Sequence, residues 1–499
     1  MGHTEAHLIE NPVPSATKQE LITKLSRVLD SECLKYLEQD LKPFECDGLS
    51  AYPKVPMLVA LPTSEHEVCE VLKICYENNV PVVFRGAGTG LSGGAIPYEK
   101  GLLLVLSKLN KIVQIDSVSR TAIVQPGVRN AAISQASAKH KLYYAPDPSS
   151  QIACSIGGNV AENSGGVHCL KYGLTVNNIL KIRFATIEGE IIEIGAEGLD
   201  SPGYDLLALI CGSEGLLGVV TEITVKLLSS PERAQVIMAS FDDVAKAGRA
   251  VGDIIAAGII PAGLEMMDQK ATSAVEQFIG AGYPLDAAAI LLCESDGADE
   301  EVANEIEKTI EVLKNAGATK IEVSRDDAHR LKLWAGRKSA FPAVGRILPD
   351  YFCMDGTIPR RTLPMVLERI AEMGTTFNLQ CANVFHAGDG NLHPLIMFDA
   401  NDKDQLRRAE QYGAAILELC VEVGGTITGE HGVGMEKINQ MCVQFQPDEL
   451  SSFLQIKKSF DEKGLLNPGK AVPTLNRCAE FGMMHVHRGE ERFPDLPRF

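Results

Sequence analysis

A chain of 499 residues exceeds what one hydrophobic core can serve, so two or more domains are expected. At 45% hydrophobic and 22% charged residues it has an ordinary soluble globular composition, and a formal charge of −18 argues against nucleic acid, whose phosphates call for a net basic face. No uninterrupted run of about 18 apolar residues occurs, since Ser213 and Glu214 break LLALICGSEGLLGVV, so no membrane span is expected.

Residues 1–52 read as an N-terminal segment. Its start, MGHTEAHLIENPVP, lacks the apolar stretch of a secretory signal, and TKQELITKLSRVLD is an amphipathic helix. Residues 53–231 alternate short strands and helices. LVALP, the acid-rich helix SEHEVCEVLKICYENN and PVVFR form a β-α-β unit. GLLLVLSKL and TAIVQPG follow as strands, VRNAAISQASAKH as a short helix, ILKIRFATIEGEIIEIG as two strands about a Glu-Gly turn, and VVTEITVKLL as a closing strand. The turn-rich seam Ser229-Ser230-Pro231-Glu232 marks a domain boundary. Residues 232–472 repeat strand and helix (AQVIMASF, a helix N-capped by Asp242, AGLEMMD, QKATSAVEQFIGAG, AAAILLCES, DEEVANEIEKTIEVLKNAG, TKIEVSR), the pattern of an α+β layer. Two long helices, DKDQLRRAEQYGAAILELCVEVGG and PDELSSFLQIKKSFDEKG, follow, and 473–499 is a tail. The 13 cysteines never fall as C-x-x-C or in the close fours of an iron–sulfur centre, so they read as small buried hydrophobes of a cytoplasmic protein.

The stretch VPVVFRGAGTGLSGGAIP contains Gly88-x-Gly90-x-x-Gly93, the spacing of a dinucleotide fingerprint, after an apolar strand. That fingerprint needs a helix to start within the motif. Pro97 and the strand GLLLVLSKL leave no room for one, and no acid stands where the ribose would be bound, so a nicotinamide site is not expected. What remains is a loop whose glycines free successive N–H groups to cradle phosphate oxygens. PDPSSQIACSIGGNVAENSGG (146–166) and CGSEGLLGVVTE (211–222) concentrate small residues again, and three such loops in one domain suggest one long ligand.

Together these stretches resemble the FAD-binding domain of the vanillyl-alcohol oxidase/PCMH flavoprotein superfamily. Nearly the whole chain resembles its family of FAD-linked glycolate oxidase subunits, with D-lactate and D-2-hydroxyglutarate dehydrogenases as relatives. The resemblance implies an α+β fold: a PCMH-type FAD-binding domain, an α+β (ferredoxin-like) substrate or cap domain, and C-terminal helices. It implies that Arg85, Gly86, Gly88, Thr89, Gly90 and Ser92 hold the FAD pyrophosphate. Pro146, Asp147, Ser150, Gly157, Gly158, Asn159, Asn163, Gly165 and Gly166 would line the ribityl chain and isoalloxazine, with Glu214 and Val220 from the third loop. Asn467, in GLLNPGK, would approach the flavin. No histidine lies in residues 85–97, so non-covalent FAD is implied.

In NVFHAGDGNLHPLIMF, His386 and His393 flank an Asp389-Gly390 turn between apolar runs. A hairpin brings the two imidazoles together at its mouth, a good divalent-metal site, and Glu430 in TITGEHGVGMEK is a third ligand candidate. The alternative is that these are unrelated loop residues. The family motifs HAGDGNLH and GEHG give His386, His393 and Glu430 to a divalent metal (zinc, manganese or iron) and His431 to the role of base. Arg337, in WAGRKSAFPAVGR, matches the family's carboxylate-binding arginine; otherwise it belongs to a solvated helix face. Cys353 stands where dicarboxylate-handling relatives have a lysine, which favours a small substrate. The implied reaction is oxidation of a small 2-hydroxy acid, glycolate or D-lactate, by hydride transfer to flavin N5. Electrons would leave through an iron–sulfur subunit and a second FAD-binding subunit, and these would supply any attachment to the inner membrane. The alternatives are a D-lactate or D-2-hydroxyglutarate dehydrogenase, or a non-catalytic FAD-binding subunit of the same complex, the last disfavoured by the intact set His386, His393, Glu430 and His431.

Overall fold

A computed structural model describes residues 12–198 and 203–473. The tail beyond, with Cys478, His485 and His487, lies outside the described residues, as does the docking role expected of it. The first described helix, Lys18–Leu25, is started by a capping box of Thr17 and Glu20 and buries Leu21 and Leu25.

Four strands, Leu34–Lys35, Leu58–Ala60, Leu102–Val105 and Val82–Arg85, form the first sheet in that order, the last three parallel. The expected β-α-β unit is present, its helix Glu65–Glu77 capped by Ser64, but Leu102–Val105 lies between its two strands. The chain passes from Val82–Arg85 to Leu102–Val105 without a helix, with Gly88 and Gly93 at φ +73° and +78°. A second, antiparallel sheet runs Ile112–Asp116, Thr121–Val124, Val219–Lys226, Ile179–Ala185, Ile191–Gly195.

The third sheet has seven antiparallel strands in the order Lys320–Val323, Arg233–Phe241, Ala289–Gly297, Gly263–Asp268, Gln380–His386, Asn391–Phe398, Asp350–Cys353. Helices cover both of its faces. Ile237, Ala239, Phe241, Leu291 and Phe385 point into a core with helices Val244–Ala256, Leu363–Phe377 and Lys403–Glu422. The alternate residues Val236, Met238, Met267, Leu292 and Val384 point into a second core with helices Gln269–Ile279, Asp327–Lys338 and Ala340–Val344. Burial on both faces is why these strands read as continuous apolar runs. The cap of helix Val244–Ala256 is Asp243, which accepts from the Ala245 N–H; Asp242, expected there, pairs with Lys246 at 2.9 Å. Helix Leu363–Phe377 has no counterpart in the sequence expectations, and helix Asp327–Lys338 has one only in the solvated helix face weighed for Arg337, which is buried instead. Of the twelve described cysteines, eleven are free thiols, nine of them buried, and Cys442 is disulfide-bonded.

Candidate active site

Between the first two sheets and the third lies a cavity of ≈ 390 Å³. Of the residues expected at a cofactor, Arg85, Gly86, Gly88, Thr89, Gly90, Ser150, Gly157, Gly158, Asn159, Glu214 and Val220 line it. Among the described residues, none accepts a hydrogen bond from the N–H groups of residues 86–91. Six consecutive free donors on one loop form a nest for anionic oxygens, which is the fit an FAD pyrophosphate requires. The wall also depends on missing side chains: a Cβ on Gly86 would stand 2.1 Å from Ser155 Oγ, and one on Gly157 would meet Pro126 at 2.5 Å.

The other expected residues stand behind this wall. Ser92 donates to the His431 carbonyl at 2.9 Å. The Pro146 carbonyl accepts from Asn130, which also bonds Asn159. Asp147 pairs with His168 at 2.9 Å. Asn163, at φ +53°, accepts from the Val176 N–H. Gly165 leaves room for Glu430 Oε2, and Gly166 for the Asp147 carbonyl. Asn467 ties Gly94 to Glu214 through its side-chain amide, at 3.1 and 2.7 Å from their carbonyls. Glu214 turns its carboxylate to the N–H groups of Val433 and Gly434, at 2.7 and 2.6 Å, and so fastens the cofactor half to the loop carrying His431.

The hairpin Gln380–His386/Asn391–Phe398 closes through Gly390 at φ +84°. In its register His393 faces Val384, two residues from His386, so both imidazoles project from the same face, 4.9 Å apart between ring centres. Glu265, on Gly263–Asp268, shares that face and receives His386 Nδ1 at 2.8 Å, leaving Nε2 3.1 Å from Glu430 Oε1. Glu430 Oε1 is 3.4 Å from His393 Nε2 and 3.9 Å from His431 Nε2, and His431 stacks on His393 at 4.8 Å. The ligand atoms of His386, His393 and Glu430 lie within 4.8 Å of one another. Both ring nitrogens of His393 are buried without a hydrogen-bond partner. A buried imidazole left unpaired beside a carboxylate is what a divalent metal site requires, so these residues fit such an ion.

The loop holding Glu430 and His431 is wound around Asp355. That carboxylate accepts from the N–H of Gly429, Glu430 and His431, from Thr428 Oγ1 and from Lys437 Nζ. Asp355 and Lys437 are both fully buried. Burial alone would raise the Asp355 carboxyl, but Lys437 and then His431 hold it well below its usual range. Burial pushes His431 down to about 4, against the pull of Asp355, so its imidazole is neutral. Burial would raise Glu430 too, yet His386 brings it to about 2.

Arg337 is not brought to the cavity. It is completely buried, its Nε donating to Glu265 at 2.8 Å, and its neighbour Lys338 lines the cavity instead, with Phe341, Pro342 and Tyr351. Glu265, Asp355 and Lys437 were missed at the sequence level. Glu265 carried a signal: it is an acid at an inward position of the strand GLEMMD.

A model of FAD binding domains matches residues 56–195, and a model of the C-terminal domain of FAD linked oxidases matches residues 230–471. The chain is 60% identical to glycolate oxidase subunit GlcD of Escherichia coli (strain K12) over 98% of each chain. The chain belongs to the FAD-linked oxidases. It is accordingly an FAD-dependent oxidoreductase of the α+β class. The D-lactate dehydrogenase of Anaerostipes hadrus is 31% identical over 90% of this chain and 97% of its own. The crystal structure of p-cresol methylhydroxylase with substrate bound superposes with a TM-score of 0.79 at 15% identity, over 93% of this chain and 99% of that one, and so shares the fold. No helix among the described residues of this FAD-linked oxidase is long and apolar enough to cross a membrane.

Proposed function

We propose that this FAD-linked oxidase oxidises a small 2-hydroxy acid, glycolate first and D-lactate second, to its keto acid. The observation that carries the proposal is one cavity lined both by the free N–H groups of the glycine loop and by His393, Glu430 and His431. FAD bound in that cavity supplies the hydride acceptor, the cofactor's own chemistry. His386, His393 and Glu430 would hold a divalent ion, which supplies a Lewis acid for the substrate oxygens. Glu265 fixes the His386 ring through Nδ1 and directs Nε2 toward the ligand set. His431, neutral and facing that set with Nε2, takes the hydroxyl proton. Lys338 is the cation on the cavity wall for a substrate carboxylate, and Arg337 acts behind it through Glu265. Phe341 and Tyr351, in contact with each other, narrow that end, which suits a small acid.

We assign residues 53–231 to the cofactor, 232–472 to the substrate, and 473–499 to docking. No described cysteine belongs to a group that could hold a metal, so electrons leave through another chain. The relative's designation as a subunit supports a multi-subunit assembly; within it we assign that role to an iron–sulfur subunit and a second FAD-binding subunit, with inner-membrane attachment, where it occurs, through them.

Anaerobic glycolate or D-lactate should bleach the flavin of the purified protein. His386→Ala and His431→Ala should keep FAD yet bleach about 10²–10⁴-fold more slowly. Wild-type bleaching in either variant would remove the metal–base assignment. A loaded wild-type protein inert to every 2-hydroxy acid would instead favour a non-catalytic FAD-binding subunit.

A further inference from the structure

Glu162 ends the helix Ile156–Glu162, which rises from the second glycine-rich loop. Its side chain lines the cavity, and its Oε2 is buried without a hydrogen-bond partner. Two glycines make room for the carboxyl. A Cβ on Gly94 would stand 2.9 Å from Oε1, and one on Gly432 would stand 2.1 Å from Oε2. The group therefore sits between the phosphate loop and the backbone just after His431, in the cavity that His393, Glu430 and His431 also line. A buried carboxyl oxygen without a partner is costly, and a ligand in the cavity is what can satisfy it.

We propose that Glu162 contacts the cofactor directly, as a neutral carboxylic acid donating a hydrogen bond to the ring of bound FAD. The inference rests on the FAD assignment above. The same Gly432 Cβ would also lie 2.9 Å from the Glu214 carboxyl carbon, so two carboxyls crowd one backbone position. They cannot both be charged there at low cost. Glu214 accepts two backbone N–H groups, which hold the negative charge on it. The proton goes to Glu162, which has no such donors. Burial, then Glu214 and Asp47, push the Glu162 carboxyl well above its usual range, and Lys437 and Lys470 oppose them. A carboxylic acid offers one O–H, and the flavin ring presents carbonyl oxygens and ring nitrogens that accept it.

The test uses apoprotein reconstituted with FAD, read by flavin fluorescence and visible absorption. Glu162→Gln keeps a donor of similar shape and should bind FAD within about twofold of wild type, with an unchanged spectrum. Glu162→Leu should raise the dissociation constant about tenfold, the effect of one buried partner left unmade, and shift the visible bands. If the leucine protein does not fold, Glu162→Ala carries the same expectation. Wild-type affinity and spectrum in the donor-less variants overturn the proposal, as does a glutamine variant that behaves like them. Wild-type protein that fails to take up FAD overturns the FAD assignment itself, a distinct result.

Discussion

The two walls of the cavity are made by opposite means. The wall formed by residues 86–91 and 157–158 works through backbone N–H groups and absent side chains. The opposite wall is His393, Glu430 and His431, backed by Glu265, Arg337, Asp355, His386 and Lys437, which are buried within an otherwise apolar layer, where each charge needs a partner. The first wall is local in sequence and fails when a side chain fills it. The second draws on residues from 265 to 437 and fails when one charge is left without its counterpart. Damage to the first should therefore cost cofactor, and loss of one charge from the buried Asp355–Lys437 pair behind the second should cost the fold.

The largest effect is expected from Asp355→Asn. Asp355 and Lys437 are 3.0 Å apart and both fully buried. Removing one charge strands the other, which costs about 3–5 kcal/mol, whereas replacing both by apolar residues is often neutral. The midpoint of urea unfolding should fall sharply for Asp355→Asn and recover in Asp355→Asn/Lys437→Met, which removes both charges and keeps an oxygen to accept from the N–H groups of Gly429, Glu430 and His431. Unfolding of the single variant at the wild-type urea concentration would break the comparison.

Gly88→Ala sharpens it from the other side. Gly88 has φ +73°, and a Cβ there would sit 2.3 Å from the Arg85 guanidinium. Left-handed backbone on a side-chain-bearing residue costs about 1–3 kcal/mol, and here the strain falls on a loop at the cavity wall. Urea unfolding should shift by no more than that strain, less than for Asp355→Asn, while FAD affinity drops about 10–100-fold, measured by retention on desalting and by fluorescence titration. Normal FAD binding by this variant would mean that the loop's openness does not matter.

The same contrast explains what was legible in the sequence. The glycine loops announced themselves because their chemistry is contiguous, and Pro97 alone removed the nicotinamide alternative. The hairpin carrying His386 and His393 was legible because a turn signal and two apolar runs fix a local geometry. The partners that make the histidines usable were not. Glu265 lies 121 positions from His386, and only the order of strands in the sheet brings them together. Arg337 shows the limit most clearly. A motif match points it at substrate, whereas the packing of helix Asp327–Lys338 on the sheet turns it into the buried counter-charge of Glu265.

The smallest expected effect concerns the seam where the walls are joined. His168, on the cofactor side, lies 2.9 Å from Asp147 and 3.1 Å from Glu294, which belongs to the seven-stranded sheet. Burial would lower its pKa, but Asp147 and then Glu294 raise it to about 10. The unfolded chain holds that proton only below about pH 6.5. The stabilisation is therefore fully present below pH 6.5 and is lost as pH rises through 10. The wild-type melting temperature should decline across that window, and His168→Gln should flatten the decline by on the order of 2–4 °C. The effect is small because Glu294 keeps Arg330 and Trp334 as partners, and Asp147 keeps Lys338 nearby. Equal pH slopes for the two proteins would mean that the join between the halves rests on packing, with charge balance confined to the histidine wall.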